Sequence, residues 1–162
     1  MNWEIISNQH SSLQEYRLMD KNDCKMSLKY NPRHKSARIT SADNHRLFFL
    51  ESTGAFGDKT IFRNEYGMEI GNLVYDKLRS KEGSILIDEK KYHYEINGEE
   101  LMIYKTNHRQ PLINCNIQSS SAFDTNILSP VLSRIDTNCL VIGLCWYLAL
   151  AVNDNMREYA LN

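Results

Sequence analysis

The sequence predicts a mainly-β domain, an antiparallel closed barrel of about 12 strands around a buried hydrophobic C-terminal α-helix. Three observations predict it. Apolar and polar residues alternate with period two over most of the chain up to residue 118. Turn-forming residues interrupt that alternation at short intervals. Near the C-terminus a stretch of fourteen residues, Cys139 to Val152, carries no charge at all.

The strands follow in order. Trp3 to Ile6 opens the set. Tyr16 and Leu18 alternate with Glu15 and Arg17, and Asp20-Lys21-Asn22-Asp23 turns the chain into the next strand. There Cys24, Met26, Leu28 and Tyr30 interleave with Lys25, Ser27, Lys29 and Asn31, the pattern of a strand with one wet face. Further strands are expected at Ala37–Thr40, Arg46–Ser52, Lys59–Arg63, Glu69–Asp76, Ser84–Asp88, Lys91–Ile96, Leu101–Lys105 and Leu112–Gln118. The separators include Gly54–Asp58, Lys81-Glu82-Gly83 and Asp88-Glu89. Between Ile96 and Leu101 stands Asn97-Gly98, which suits the paired positive φ of a type I′ hairpin, with Glu99 and Glu100 leaving the loop length open. Strands therefore occupy residues 3–118, a connecting segment 119–137, the helix 138–153 and a short tail 154–162, all in a single domain.

The helix decides the container. Asp136 and Thr137 precede it as N-cap candidates, and Asn153-Asp154-Asn155 ends it. Fourteen residues of helix span roughly 21 Å, short of the ~30 Å of a bilayer core, so burial in protein is favoured over a membrane anchor. A helix apolar on all sides must be covered on all sides. Twelve tilted strands spaced about 4.8 Å apart close at a diameter of roughly 23 Å, enough for one helix and one layer of inward side chains.

Composition excludes several function classes. With 162 residues, 42% apolar and net charge −1, the chain suits one soluble domain and not a polyanion-binding protein as a whole. The N-terminus lacks the basic and apolar regions of a secretory signal, so a cytoplasmic location is expected. Cys24, Cys115, Cys139 and Cys145 form no metal-ligand spacing and are expected to be small buried apolar residues in reduced form. Cys139 and Cys145, six apart on a helix, fall on different faces. Nucleophile elbows, phosphate loops, dinucleotide fingerprints and zinc-protease motifs are absent. The histidines at 10, 34, 45, 93 and 108 are scattered, and His93 shares a strand face with Lys91 and Glu95. No catalytic residue, metal ligand or cofactor is assigned.

The run Asp136, then Cys139-Leu140-Val141-Ile142-Gly143-Leu144 through Ala149-Leu150, resembles the C-terminal helix of the Tubby C-terminal-like superfamily, and within it the phospholipid-scramblase and LURP-one-related proteins. Gly67-Met68-Glu69-Ile70-Gly71-Asn72-Leu73-Val74 is similar to that family's glycine-containing strand openings. The resemblance implies a twelve-stranded barrel closed around the helix. It does not bring a calcium site with it, because the stretch from Asp124 to Asp136 holds only those two carboxylates where calcium needs six to eight oxygens. No phosphoinositide-binding basic pair aligns either.

One charge feature stands out. From Cys24 to Ala42 there is no acid, while Lys25, Lys29, Arg33, Lys35 and Arg38 are basic. These five are the candidate ligand-binding residues, suited to an anionic headgroup or phosphate. The expected function is a non-catalytic binding module for anionic phospholipid or another phosphate-bearing ligand, peripheral to a membrane. The alternative is a structural or protein-interaction domain with no small ligand. A nucleic-acid partner is not expected, since the cluster has little aromatic interleaving.

Overall fold

The computed structural model describes residues 2–6, 13–41, 44–53, 59–75, 81–116, 122–127 and 139–150. Outside them lie the expected turn at Gly54–Asp58, the strand ends at 76 and 117–118, most of the connecting segment, helix positions 138 and 151–153 with both N-cap candidates, and the tail. The chain is mainly β, with antiparallel strands in one sheet and one C-terminal helix.

The strands are β1 (Asn2–Ile6), β2 (Gln14–Asp20), β3 (Asp23–Asn31), β4 (Ser36–Ser41), β5 (Asn44–Thr53) and β6 (Lys59–Arg63). They continue as β7 (Glu69–Tyr75), β8 (Glu82–Ile87), β9 (Lys90–Asn97), β10 (Glu100–Lys105), β11 (Ile113–Asn116) and β12 (Ala122–Ile127). From β2 to β11 each pairs antiparallel with the next, so the ten form a continuous meander. β1 lies beside β2, β12 beside β11, and β1 and β12 pair with each other. β12 corrects the expectation of a plain connection over 119–137. Ala122-Phe123-Asp124-Thr125-Asn126-Ile127 has no clean alternation, and its extended form follows from hydrogen bonding to a strand on each side.

Turn chemistry explains the hairpins. Ile87 faces Lys90, leaving Asp88 and Glu89 as a two-residue loop with φ of 45° and 65°. Positive φ at both central positions matches the twist of the flanking strands. The Asn97-Gly98 hairpin differs from expectation. Asn97 pairs with Glu100, so the central residues are Gly98 and Glu99, and the positive φ of 61° falls on Gly98 alone. Glycine takes that conformation at no steric cost.

Inward rows of Tyr16 and Leu18 on β2, Met26 and Leu28 on β3, Phe48 and Leu50 on β5, and Leu101 and Ile103 on β10 join one core. Cys24 is exposed, contrary to the expectation that all four cysteines are buried. The ladder shifts register between Leu18 and Met19, and this bulge breaks the alternation that would have turned Cys24 inward. Gly83 is needed on β8 because any side chain there would run into the Tyr94 ring and the Val74 carbonyl.

The helix α1 spans residues 139–150. Leu140, Tyr147 and Leu150 are half-buried, and the other nine residues are buried. Trp146 meets Tyr16 edge-on at 4.7 Å and Tyr30 at 5.5 Å, so this face lies against β2 and β3. Gly143 brings α1 against Ile39 of β4, where a Cβ would collide with the isoleucine δ-methyl. Cys139 Sγ donates to Ser41 Oγ at 3.6 Å, also on β4. Cys145 turns the other way, to Cys115 on β11, and burial together with that neighbouring thiol pushes its pKa well up. The two helix cysteines thus occupy different faces, as their spacing requires. Tyr147 approaches Tyr75 on β7. A residual void of about 20 Å³ between α1 and β3–β6 is lined by apolar side chains such as Leu28, Ile39, Phe48 and Leu144. That is room for one water at most and offers it no polar partners. Among the described residues no helix is long and apolar enough to cross a membrane.

Tyr75 gives this core a pH signature. Burial, the neighbouring Tyr147 hydroxyl and an opposing hydrogen bond with Thr60 leave its pKa raised to about 12. The folded state therefore favours the neutral phenol over the phenolate. Its stabilising share is whole below pH ~10, the unfolded value, and is lost as pH climbs toward 12. Denaturant midpoints measured across this range should fall above pH 10, with Tyr75 accounting for on the order of 2 kcal/mol. Tyr75→Phe should flatten that share of the decline, and an unchanged alkaline decline would assign it to other groups.

Candidate functional site

With the inward rows of the sheet packed against α1, the outward rows are left for ligand chemistry. The β3–β4 hairpin carries the candidate residues. Lys29 and Arg38 are cross-strand partners on the outward row, and Asn31 pairs with Ser36 one row nearer the tip. The tip, residues 32–35, carries Arg33 and Lys35. Asn31 shapes it, its Oδ1 accepting from the backbone N–H groups of Arg33 (3.1 Å) and His34 (3.2 Å). Lys35 takes a positive φ of 45°, and its carbonyl accepts from the Leu50 N–H at 2.8 Å, tying the tip to β5.

The structure divides the five cations. Lys25 sits four residues back along β3, on the order of 13 Å from Lys29, and bonds to Asp23. That bond raises its pKa. Lys29 reaches Glu15 of β2 at 3.4 Å, where Arg17 also binds at 3.0 Å. Partial burial alone would raise the Glu15 pKa, but hydrogen bonds from Arg17 and Lys29 outweigh it and hold the carboxyl below its ordinary value. Arg33, Lys35 and Arg38 are exposed, and among the described residues none of them is ion-paired. So the hairpin brings together Lys29, Arg33, Lys35 and Arg38, leaves Lys25 apart, and neutralises Lys25 and Lys29 with acids that the linear stretch lacks. Phe49, 39% exposed, stands opposite Ser36 and adds an apolar ring beside this corner.

A second surface was not singled out by the sequence. An open groove of about 580 Å³ lies over β8, β9, β10 and the turn after β10. Ser84, His93 and Tyr104 are register partners across three strands and form one outward row. Lys91, Lys105, His108 and Arg109 line the same groove. His93 Nε2 lies 3.3 Å from Glu95, the single carboxylate lining the groove among the described residues. The legible signal was Lys105-Thr106-Asn107-His108-Arg109, a short basic loop, but the sequence does not show that it lies beside Lys91 and His93. Among the described residues no three His, Cys, Asp or Glu side chains are grouped to hold a metal ion.

No family model matches the chain, and neither a curated protein nor a solved structure matches it.

Proposed function

We propose that the chain is a non-catalytic binding module of Tubby-like build, a twelve-stranded barrel closed around α1, which docks peripherally on anionic phospholipid or a related phosphate-bearing ligand through the β3–β4 corner. Pairing of β1 with both β2 and β12 supports the closed barrel, and the contacts of α1 with β2, β3, β4, β7 and β11 support its place inside. The observation that carries the functional reading is the corner itself. Arg33, Lys35 and Arg38 converge there without acid partners among the described residues, next to the exposed Phe49 ring. Basic side chains draw in anionic headgroups, and an exposed aromatic ring is suited to the membrane interface. The anionic cytoplasmic leaflet is the surface this chemistry fits.

The test is flotation with vesicles of defined charge. Binding is expected to anionic and not to neutral vesicles, and to weaken as salt rises. Arg33→Glu, Lys35→Glu and Arg38→Glu together remove at least about 3 kcal/mol, roughly two orders of magnitude in binding. Flotation indifferent to lipid charge would discard the reading. A second reading, a protein-interaction domain with no small ligand, rests on Tyr66 and Met68, which are 78% and 59% exposed between β6 and β7. It requires no flotation and a concentration-dependent oligomer or a co-purifying partner.

A further inference from the structure

The groove over β8–β10 is a different surface from the basic corner. It lies on β8, β9 and β10, with β9 six strands from β3 in the sheet order. Antiparallel neighbours reverse direction, so the start of β9 and the end of β10 lie at the opposite end of the sheet from the β3–β4 tip. A flat membrane engaged by one therefore does not reach the other.

The cations of the groove are held on a tied turn. The Thr106 N–H and hydroxyl both donate to the Lys91 carbonyl, at 3.3 and 2.8 Å. The His108 N–H donates to the Lys105 carbonyl at 2.9 Å, and Asn107 takes a positive φ of 72° to close the bend. These bonds set Lys105 and Arg109 beside Lys91. Among the described residues none of the three is ion-paired, and the single lining carboxylate, Glu95, already faces His93.

We propose that this groove binds a small phosphate monoester, the phosphoryl group among Lys91, Lys105 and Arg109 and the organic body over Tyr104. Three permanent cations against one engaged carboxylate match a group of charge about −1.5 to −2 at neutral pH better than a monoanion. Arg109 adds paired donors that suit phosphoryl oxygens. The outward hydroxyls of Ser84 and Tyr104 and the His93 ring supply further polar contacts along the floor. The groove volume of about 580 Å³ lies within the ~300–1,000 Å³ range of small-ligand sites.

The probe is phenyl phosphate, titrated into the full chain and followed by amide chemical shifts, with phenol as the uncharged control. Phenyl phosphate should move the amides of Ser84, His93, Tyr104 and Arg109, and phenol should not. Lys105→Glu with Arg109→Glu, both exposed positions, should weaken binding at least about tenfold, as expected for lost charge-assisted contacts. Arg33→Glu with Lys35→Glu and Arg38→Glu should bind phenyl phosphate as the unaltered chain does. The proposal is overturned by no shifts at millimolar ester, by phenol binding as well as the ester, by shifts confined to the β3–β4 hairpin, or by undiminished binding in the Lys105/Arg109 variant. Vesicle flotation reads the other surface, so either idea can fail alone.

Discussion

A chain ended after Asp136 is expected not to fold. The nine buried residues of α1 include Val141, Ile142, Leu144, Trp146 and Leu148, none more than 4% exposed. Burying each large apolar side chain contributes roughly 1.5–3 kcal/mol, so these five alone account for about 7–15 kcal/mol. That equals the whole net stability of an ordinary domain, about 5–15 kcal/mol. The loss is also structural. At least one side chain from each of β2, β3, β4, β7 and β11 reaches α1, and without it Tyr16, Tyr30, Ile39, Tyr75 and Cys115 lose that neighbour. Circular dichroism of the truncated chain should lack a cooperative unfolding transition, while the full chain shows one. A truncated chain that unfolds cooperatively from a strand-rich state would place the core in the sheet alone and remove the basis for the enclosed helix.

Trp146→Ala is expected to cost about 3–5 kcal/mol in denaturant unfolding, the usual range for deleting a buried tryptophan. The ring is 2% exposed and edge-on to two tyrosines, so its removal leaves Tyr16 and Tyr30 without their shared partner. Such aromatic contacts add about 0.5–1.5 kcal/mol beyond area burial. Trp146→Phe should behave quite differently. The indole Nε1–H is buried with no hydrogen-bond partner among the described residues. Phenylalanine keeps much of the ring and deletes that donor, which removes a desolvation cost of about 1–3 kcal/mol. The smaller ring gives part of this back as lost packing, so the net cost should stay below about 1.5 kcal/mol. Equal losses for the two variants would mean that the indole N–H is satisfied in solution.

The same positions show what each level of information carries. Alternation in Tyr92-His93-Tyr94-Glu95 assigns faces correctly because side-chain direction in a strand depends only on parity. Lys59–Arg63 is found at its expected limits although Thr60, Ile61 and Phe62 are all buried and its faces do not alternate, because the turn from Asn64 to Gly67 stops it. Cys24 breaks the rule because Lys25 is an extra residue in β3 opposite the Leu18–Met19 step of β2, and this bulge shifts the pairing of Cys24. The Asn97-Gly98 loop is displaced by one residue because register is settled by the partner strand as well as by turn preference. In the basic stretch, charge type was legible, and Asp23 pairs with Lys25 two residues away on β3 itself, but Glu15 neutralises Lys29 only once β2 is laid beside β3.

The sequence by itself determined the strand-rich class, the place of the hairpins, the apolar helix and the basic hairpin, since each depends on residues close along the chain. Only the tertiary structure decided that Ala122–Ile127 pairs between β11 and β1, that Cys145 meets Cys115, and that Lys91 and Arg109 share a groove. Those are meetings of residues distant in sequence. They are settled by which surfaces bury one another when strands align, and no local pattern of side chains encodes that outcome.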